Sequence, residues 1–238
     1  VDWLKQWFLD RFGRAPPCGP EQAERLALWQ YRMVPDLDLP HDQSRYVVVD
    51  VESSGLNLVK DRLIAIGAMA LEGGVIRASG AFEIILRQDE ASDRDNILVH
   101  GIGGTAQREG REPAQALLDF LEFVGKAPLV AYHAHFDETM IKKAMRQYLG
   151  RSPDMNWLDL AWILPEFYDI KAQGRVALDH WLLRFGIENI QRHNALADCL
   201  ATGQLLQVLL ARAREKGHKS PRALMEVEKT RRWLGRSG

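Results

Sequence analysis

Asp50 and Glu52 stand two residues apart, directly after Tyr46-Val47-Val48-Val49. That aromatic and β-branched run reads as a strand buried on both faces, in the middle of a sheet. The two-residue period of a strand sends both carboxylates to the same side. Two like charges about 4 Å apart repel by about 4 kcal/mol at an effective dielectric near ~20. The pair therefore needs an Arg or Lys, a shared proton or a divalent cation between its oxygens. Ser53-Ser54-Gly55 follows at once and reads as a turn that leaves the carboxylates at an open strand end.

Three more residues carry comparable chemistry. Asp137, in His133-Ala134-His135-Phe136-Asp137, falls in the opening turn of a helix just past a short apolar strand. A carboxylate there is favoured by the helix dipole. It also lies beyond the carboxyl end of a strand, where functional groups of open α/β sheets gather. His193 and Asp198 are five residues apart, about 140° around a helix, so they cannot share a helical face. Asn194 resolves this as an N-cap, leaving His193 in the preceding loop and Asp198 on the first turns of a long apolar helix.

The elements that must position these groups follow from the pattern. Strands are expected from Tyr46 through Glu52, over Arg62–Ala70 and from 75 to about 87, the last two joined through Gly73-Gly74 as part of an antiparallel meander. Residues 88 to 112 read as polar and irregular around Ile97-Leu98-Val99-His100-Gly101-Ile102. A helix is expected from Pro113 to Gly125, a strand over Leu129–Tyr132, and a helix over His135–Leu149. Further helices fit 156 to 168, 176 to 185, 194 to 215 and 221 to 235. Strands first and alternating units afterwards predict an α/β fold, a mixed sheet flanked by helices. Before it, Trp3, Leu4, Trp7, Phe8 and Phe12 fall at helical spacing, and a second helix carries Leu26, Leu28, Trp29 and Met33. The expected division is a helical extension over 1–43, a main domain over 44–215 and a helical tail over 216–238.

With 238 residues and a net charge of −1, the chain is long enough for one sizeable core and lacks the basic footprint of a protein that tracks a nucleic-acid backbone. Any such binding must come from a local site or a metal centre. Cys18 and Cys199 offer no disulfide framework and no cysteine zinc site, which fits a reducing compartment. The sequence has no apolar run of membrane-spanning length and no signal-peptide layout at its amino terminus, so a cytoplasmic location without membrane binding is expected.

Taken together, the D-x-E on a buried strand, the Phe136-Asp137 pair after a later strand and the His193…Asp198 spacing at a helix start resemble the DEDDh 3′–5′ exonuclease family. That family includes the proofreading subunit of bacterial replicative polymerase, oligoribonuclease and RNase T, on an RNase H-like fold. Asp61-Arg62-Leu63-Ile64, Ile66-Gly67-Ala68, Val99-His100-Gly101-Ile102, Asp159 with Leu164-Pro165, and Phe185-Gly186-Ile187 match as well, so the resemblance runs from about 45 to 213. Three positions depart from the family pattern. Ala131-Tyr132-His133 replaces a usual Gly-His-Asn, Ala65 replaces a frequent Glu, and Leu160 replaces a common Thr. None of these is a metal ligand; they bear on nucleotide recognition.

The resemblance implies two divalent cations, Mg²⁺ or Mn²⁺, with Asp50, Glu52 and Asp198 holding one and Asp50 and Asp137 the other. It makes His193 the general base and Leu56 a wedge beside the terminal base. Ser53 and Ser54 would lie against the terminal 3′-hydroxyl, and His100 and Phe136 are further pocket candidates. The implied substrate is a nucleic acid 3′ end, single-stranded DNA first and RNA or short oligonucleotides as the rival. The amino-terminal helices are the candidate dock for a polymerase or another protein. A non-catalytic nucleic-acid-binding domain is the reading outside enzymes, and the cost of burying four unpartnered carboxylates argues against it.

Overall fold

The computed structural model describes residues 18–168, 170 and 176–236. The aromatic block expected to be helical over residues 1–17 lies outside them. In chain order the elements are α1 (Pro20–Gln30), a 3₁₀ turn (His41–Gln43), β1 (Arg45–Ser53), β2 (Leu63–Glu72), β3 (Val75–Ile85), α2 (Arg94–His100) and α3 (Gly104–Arg108). They continue with α4 (Pro113–Val124), β4 (Leu129–Ala131), α5 (His135–Leu149), β5 (Trp157–Asp159), α6 (Leu160–Phe167), α7 (Leu178–Phe185), α8 (Ala195–Glu215) and α9 (Pro221–Arg236).

The sheet has the order β3-β2-β1-β4-β5. The first three strands form the expected antiparallel meander, and β4 and β5 add in parallel on the other side of β1. The valine run is therefore the middle strand. Its alternation divides the core between two faces. Val47, Val49 and Val51 pack with α1, α4 and α5 residues such as Leu26, Leu117 and Ile141. Tyr46 and Val48 face the other way, toward Leu158, Trp181, Leu205 and Leu206. By strand parity, Asp50 and Glu52 continue this second face beyond the apolar residues.

Glycine at 67 lets the second face close over them. Gly67 is the register partner of Asp50 on β2. A Cβ there would lie 2.6 Å from the backbone carbon of Ala195, the first residue of α8. The start of α8 thus rests directly on the sheet beside Asp50. Asn194 caps it by accepting from the Ala197 N–H at 2.9 Å, as its residue type predicts.

The flanking elements are fastened to this core. The Trp29 indole donates to the Leu121 carbonyl at 2.6 Å, and Arg25 pairs with Asp119 and Glu122, so α1 docks along α4. Leu28 and Met33, counted among the apolar positions of this helix, face solvent instead. At the other end, α9 buries Leu224, and its Glu228 accepts from the Asp159 N–H at 3.0 Å. Arg232 joins Glu228 to Asp159. Asp159 in turn accepts from the N–H of His133, in the loop that leads into α5.

Two expectations need correction. Residues 88–112 hold α2 and α3 rather than irregular chain. Asp93 caps α2 through the Asn96 N–H, and Gly101, with φ 74°, ends it in the left-handed conformation. Both helices are too short for an apolar period to show. Residues Trp157–Asp159 form β5, not the start of a helix from 156. Their pairing with Leu129–Ala131 decides this, a long-range contact that three residues cannot announce. No helix among the described residues is long and apolar enough to cross a membrane.

Candidate active site

Three carboxylates meet at the end of β1. Asp50, Glu52 and Asp198 each offer an oxygen, and these oxygens all lie within 4.8 Å of one another. Glu52 and Asp198 are buried and Asp50 is half-buried. Glu52 Oε1 is buried with no hydrogen-bond partner, a costly state for a carboxylate oxygen. It marks a place where a cation belongs. Oxygen-only donors at this spacing fit a hard divalent ion such as Mg²⁺ or Mn²⁺.

Asp137 is buried beside this group and oriented by the backbone. Val47 donates its N–H to Pro128 O, next to β4, whereas β4 has ended by the level of Val51. The Val51 N–H is taken by Asp137 Oδ1 at 3.1 Å. The structure thus brings together all four acidic residues named from the sequence.

Burial and mutual repulsion raise the proton affinities of Asp50, Glu52 and Asp137. Glu52 is pushed up to about 8, by burial first and then by the charges of Asp198, Asp137 and Glu83. Asp137 is likewise pushed up to about 8 by burial, against the pull of its hydrogen bonds to backbone. Asp50 rises well above the ordinary carboxylate range, by burial and then by Asp137, Asp198 and Glu52, with Arg192 pulling the other way. Acids raised in this way bind protons more tightly folded than unfolded. Their stabilising contribution is present at low pH and is lost as pH rises through the folded value. In EDTA the unfolding free energy is expected to fall between about pH 5 and 8, by about 2 to 4 kcal/mol. Saturating Mn²⁺ is expected to remove that fall. Denaturant titrations across this range check it, and identical slopes with and without Mn²⁺ would contradict a metal-binding cluster.

His193 lies in the turn before α8, exposed, with φ 60°. Its backbone N–H donates to Asp198 Oδ2 at 2.9 Å, so the loop that presents the imidazole is fixed to a carboxylate of the cluster. Asn189 and Arg192, which sequence reasoning passed over, also donate to Asp198. The only advance signal was that Arg192 directly precedes His193.

The remaining named residues shape the mouth. Ser53 Oγ donates to Gly55 O, and Ser54 Oγ to Asp61 Oδ1, so both hydroxyls hold the turn. A Cβ at Gly55 would lie 2.5 Å from Asp61 Oδ2, so glycine leaves room for the carboxylate that ties this turn. Leu56, at the tip, is 87% exposed. Lys143 of α5 grips the same loop, donating to the carbonyls of Leu58, Val59 and Asp61. Phe136 is half-buried near the start of α5. His100 is buried and uses both ring nitrogens inside the protein. Its Nδ1 accepts from the Ile102 N–H, so Nε2 carries the proton and donates to Asn96 Oδ1. Asn96 then donates to Ser53 O, which makes His100 a support of the strand end.

A mixed sheet flanked by helices, with acidic groups gathered at the end of its central strand, is the RNase H-like exonuclease fold. The exonuclease family model of RNase T matches residues 47–206, and the chain belongs to that family. Among its relatives is the PolC-type DNA polymerase III of Bacillus subtilis (strain 168), 30% identical over 181 residues, which cover 74% of this chain and 12% of the polymerase. The corresponding polymerase of Oceanobacillus iheyensis is 31% identical over 178 residues, covering 73% and 12%. The chain therefore spans about an eighth of the length of these relatives. Among solved structures, E. coli exonuclease I in complex with a dT13 oligonucleotide matches with a TM-score of 0.61 at 18% identity, covering 73% of this chain and 42% of that one.

Proposed function

We propose that this protein is a metal-dependent 3′–5′ exonuclease that shortens single-stranded DNA from its 3′ end and releases nucleoside 5′-monophosphates. The observation that carries this reading is the buried, unpartnered Glu52 oxygen within a three-carboxylate cluster, in a chain of an exonuclease family. Two divalent cations of the Mg²⁺ or Mn²⁺ type would supply Lewis-acid stabilisation of the negative charge that builds up on the phosphate.

The chain's own residues do the rest. Asp50, Glu52 and Asp198 would hold one ion, and Asp50 with Asp137 the second. Asp137 is fixed for this by the Val51 N–H. His193 would act as general base, taking the proton of the attacking water onto an imidazole that solvent can reach. Leu56 would pack against the terminal base, on a loop stiffened by Asp61 and Lys143. The chain's slight negative charge gives no long-range hold on a phosphate backbone, so affinity would concentrate on the last nucleotides.

Single-stranded DNA is preferred because the matched exonuclease I structure contains such an oligonucleotide. Processing of RNA or short oligonucleotides is the second reading, since the departures at Ala131-Tyr132-His133 fall at positions that bear on nucleotide recognition. The PolC-type relatives support action beside a polymerase, with residues 1–43 as the dock. A 5′-labelled single-stranded DNA with a free or chemically blocked 3′ end tests direction, and a matched RNA tests substrate. A ladder from the free end alone supports the proposal. Internal cuts, or equal shortening of the blocked strand, would overturn it, and faster loss of RNA would move the assignment to an exoribonuclease.

A further inference from the structure

Both oxygens of Asp198 are already held by this chain's own donors. Oδ1 accepts from Asn189 Nδ2 at 2.5 Å and from Arg192 Nη1 at 3.0 Å, and Oδ2 accepts from the His193 N–H. One of these donors is a permanent cation, since a guanidinium does not lose its proton in proteins. Arg192 therefore competes with a metal ion for the same carboxylate lone pairs. It can also give way. Its side chain is 41% exposed, and its Nε lies 3.5 Å from Asp179 Oδ1 on α7, a second anchor outside the cluster.

We infer that Arg192 is an exchangeable counter-ion: it holds Asp198 when the metal is absent, and on metal loading it releases Oδ1, stays tethered through Asp179 and donates to a phosphate oxygen of the substrate. The inference rests on the exonuclease reading and adds a substrate-binding residue to it. A guanidinium suits both partners, because its paired N–H groups match carboxylate and phosphate alike. The exchange would also explain the placing of Arg192 beside His193. The His193 N–H keeps its bond to Asp198 Oδ2, and the substrate phosphate would hold the neighbouring Arg192 side chain, so that the base is set when there is something to cleave.

Calorimetric titration of Mn²⁺ into the wild type, Arg192→Gln, Arg192→Lys and Asp50→Ala tests the exchange. Removing a competing charge is expected to tighten Mn²⁺ binding about 3- to 10-fold in Arg192→Gln, while Arg192→Lys, which keeps the charge, binds as the wild type does. KM for a single-stranded DNA oligomer is expected to rise about 10-fold in the Gln variant with kcat changed far less, the mark of a lost binding contact. A purely structural brace would give the opposite sign for the metal, because a loosened Asp198 binds it less well. Unchanged or weaker Mn²⁺ binding in Arg192→Gln, with the wild type binding and Asp50→Ala impaired, overturns the inference and leaves the exonuclease reading standing. A wild type that binds no Mn²⁺ overturns both.

Discussion

His193→Ala is expected to lower turnover by about 10²- to 10⁴-fold while leaving affinity for a short oligonucleotide nearly unchanged, because a general base acts on the transition state and contributes little to ground-state binding. The structure sharpens this expectation. The link between this loop and Asp198 runs through the backbone N–H of residue 193, which a side-chain substitution keeps. The backbone there has φ 60°, a conformation that asparagine adopts more readily than alanine. His193→Asn therefore removes the imidazole with the turn preserved. If both variants lose activity alike, the imidazole carries the effect. If the Asn variant keeps wild-type turnover, His193 is not the base and only its backbone matters.

Glu52→Gln is expected to abolish activity, by at least about 10³-fold, and at the same time to stabilise the metal-free protein. The glutamate is buried with an orphaned oxygen and holds its proton up to about pH 8. A neutral amide of the same shape removes the buried charge and brings donors to a place crowded with carboxylates. In EDTA at pH 8.5 the thermal midpoint is expected to rise by about 2 to 8 °C. At pH 5 the wild-type side chain is already protonated, and the difference is expected to vanish. A variant less stable than the wild type at both pH values would show that Glu52 serves the fold. Gain of stability on losing activity is the signature of groups held together for function against their own repulsion.

The cluster was legible in the sequence because each member carries its own local signal. Three valines fix β1 and its parity, and that parity places Asp50 and Glu52 on one face. Asn194 fixes the start of α8, and with it the separation of His193 from Asp198. What could not be read are the contacts that bring these segments together. Gly67 looks like an ordinary weak point in a strand, and only the position of Ala195 reveals why a side chain is excluded there. The three donors on Asp198 come from a loop whose partner lies on the next element, so no period records them. Lys143 reaches carbonyls more than eighty residues away. The expectation for His100 was drawn from its motif, and its ring turns out to be spent on Asn96 and Ile102. Short elements escaped for a related reason. In β5 and α3 pairing and packing decide the conformation, and five residues or fewer carry no period to detect.

The proposed function makes the Asp50, Glu52 and Asp198 carboxylates a metal centre for phosphodiester cleavage. Its most direct test is the release of mononucleotides from a single-stranded DNA oligomer by the wild type and Asp50→Ala, each with Mn²⁺ or with EDTA, with the products separated by chromatography. Stepwise release of nucleoside 5′-monophosphates by the wild type in Mn²⁺, and none in the other three conditions, is the predicted result. Release that persists in EDTA or in Asp50→Ala would contradict it.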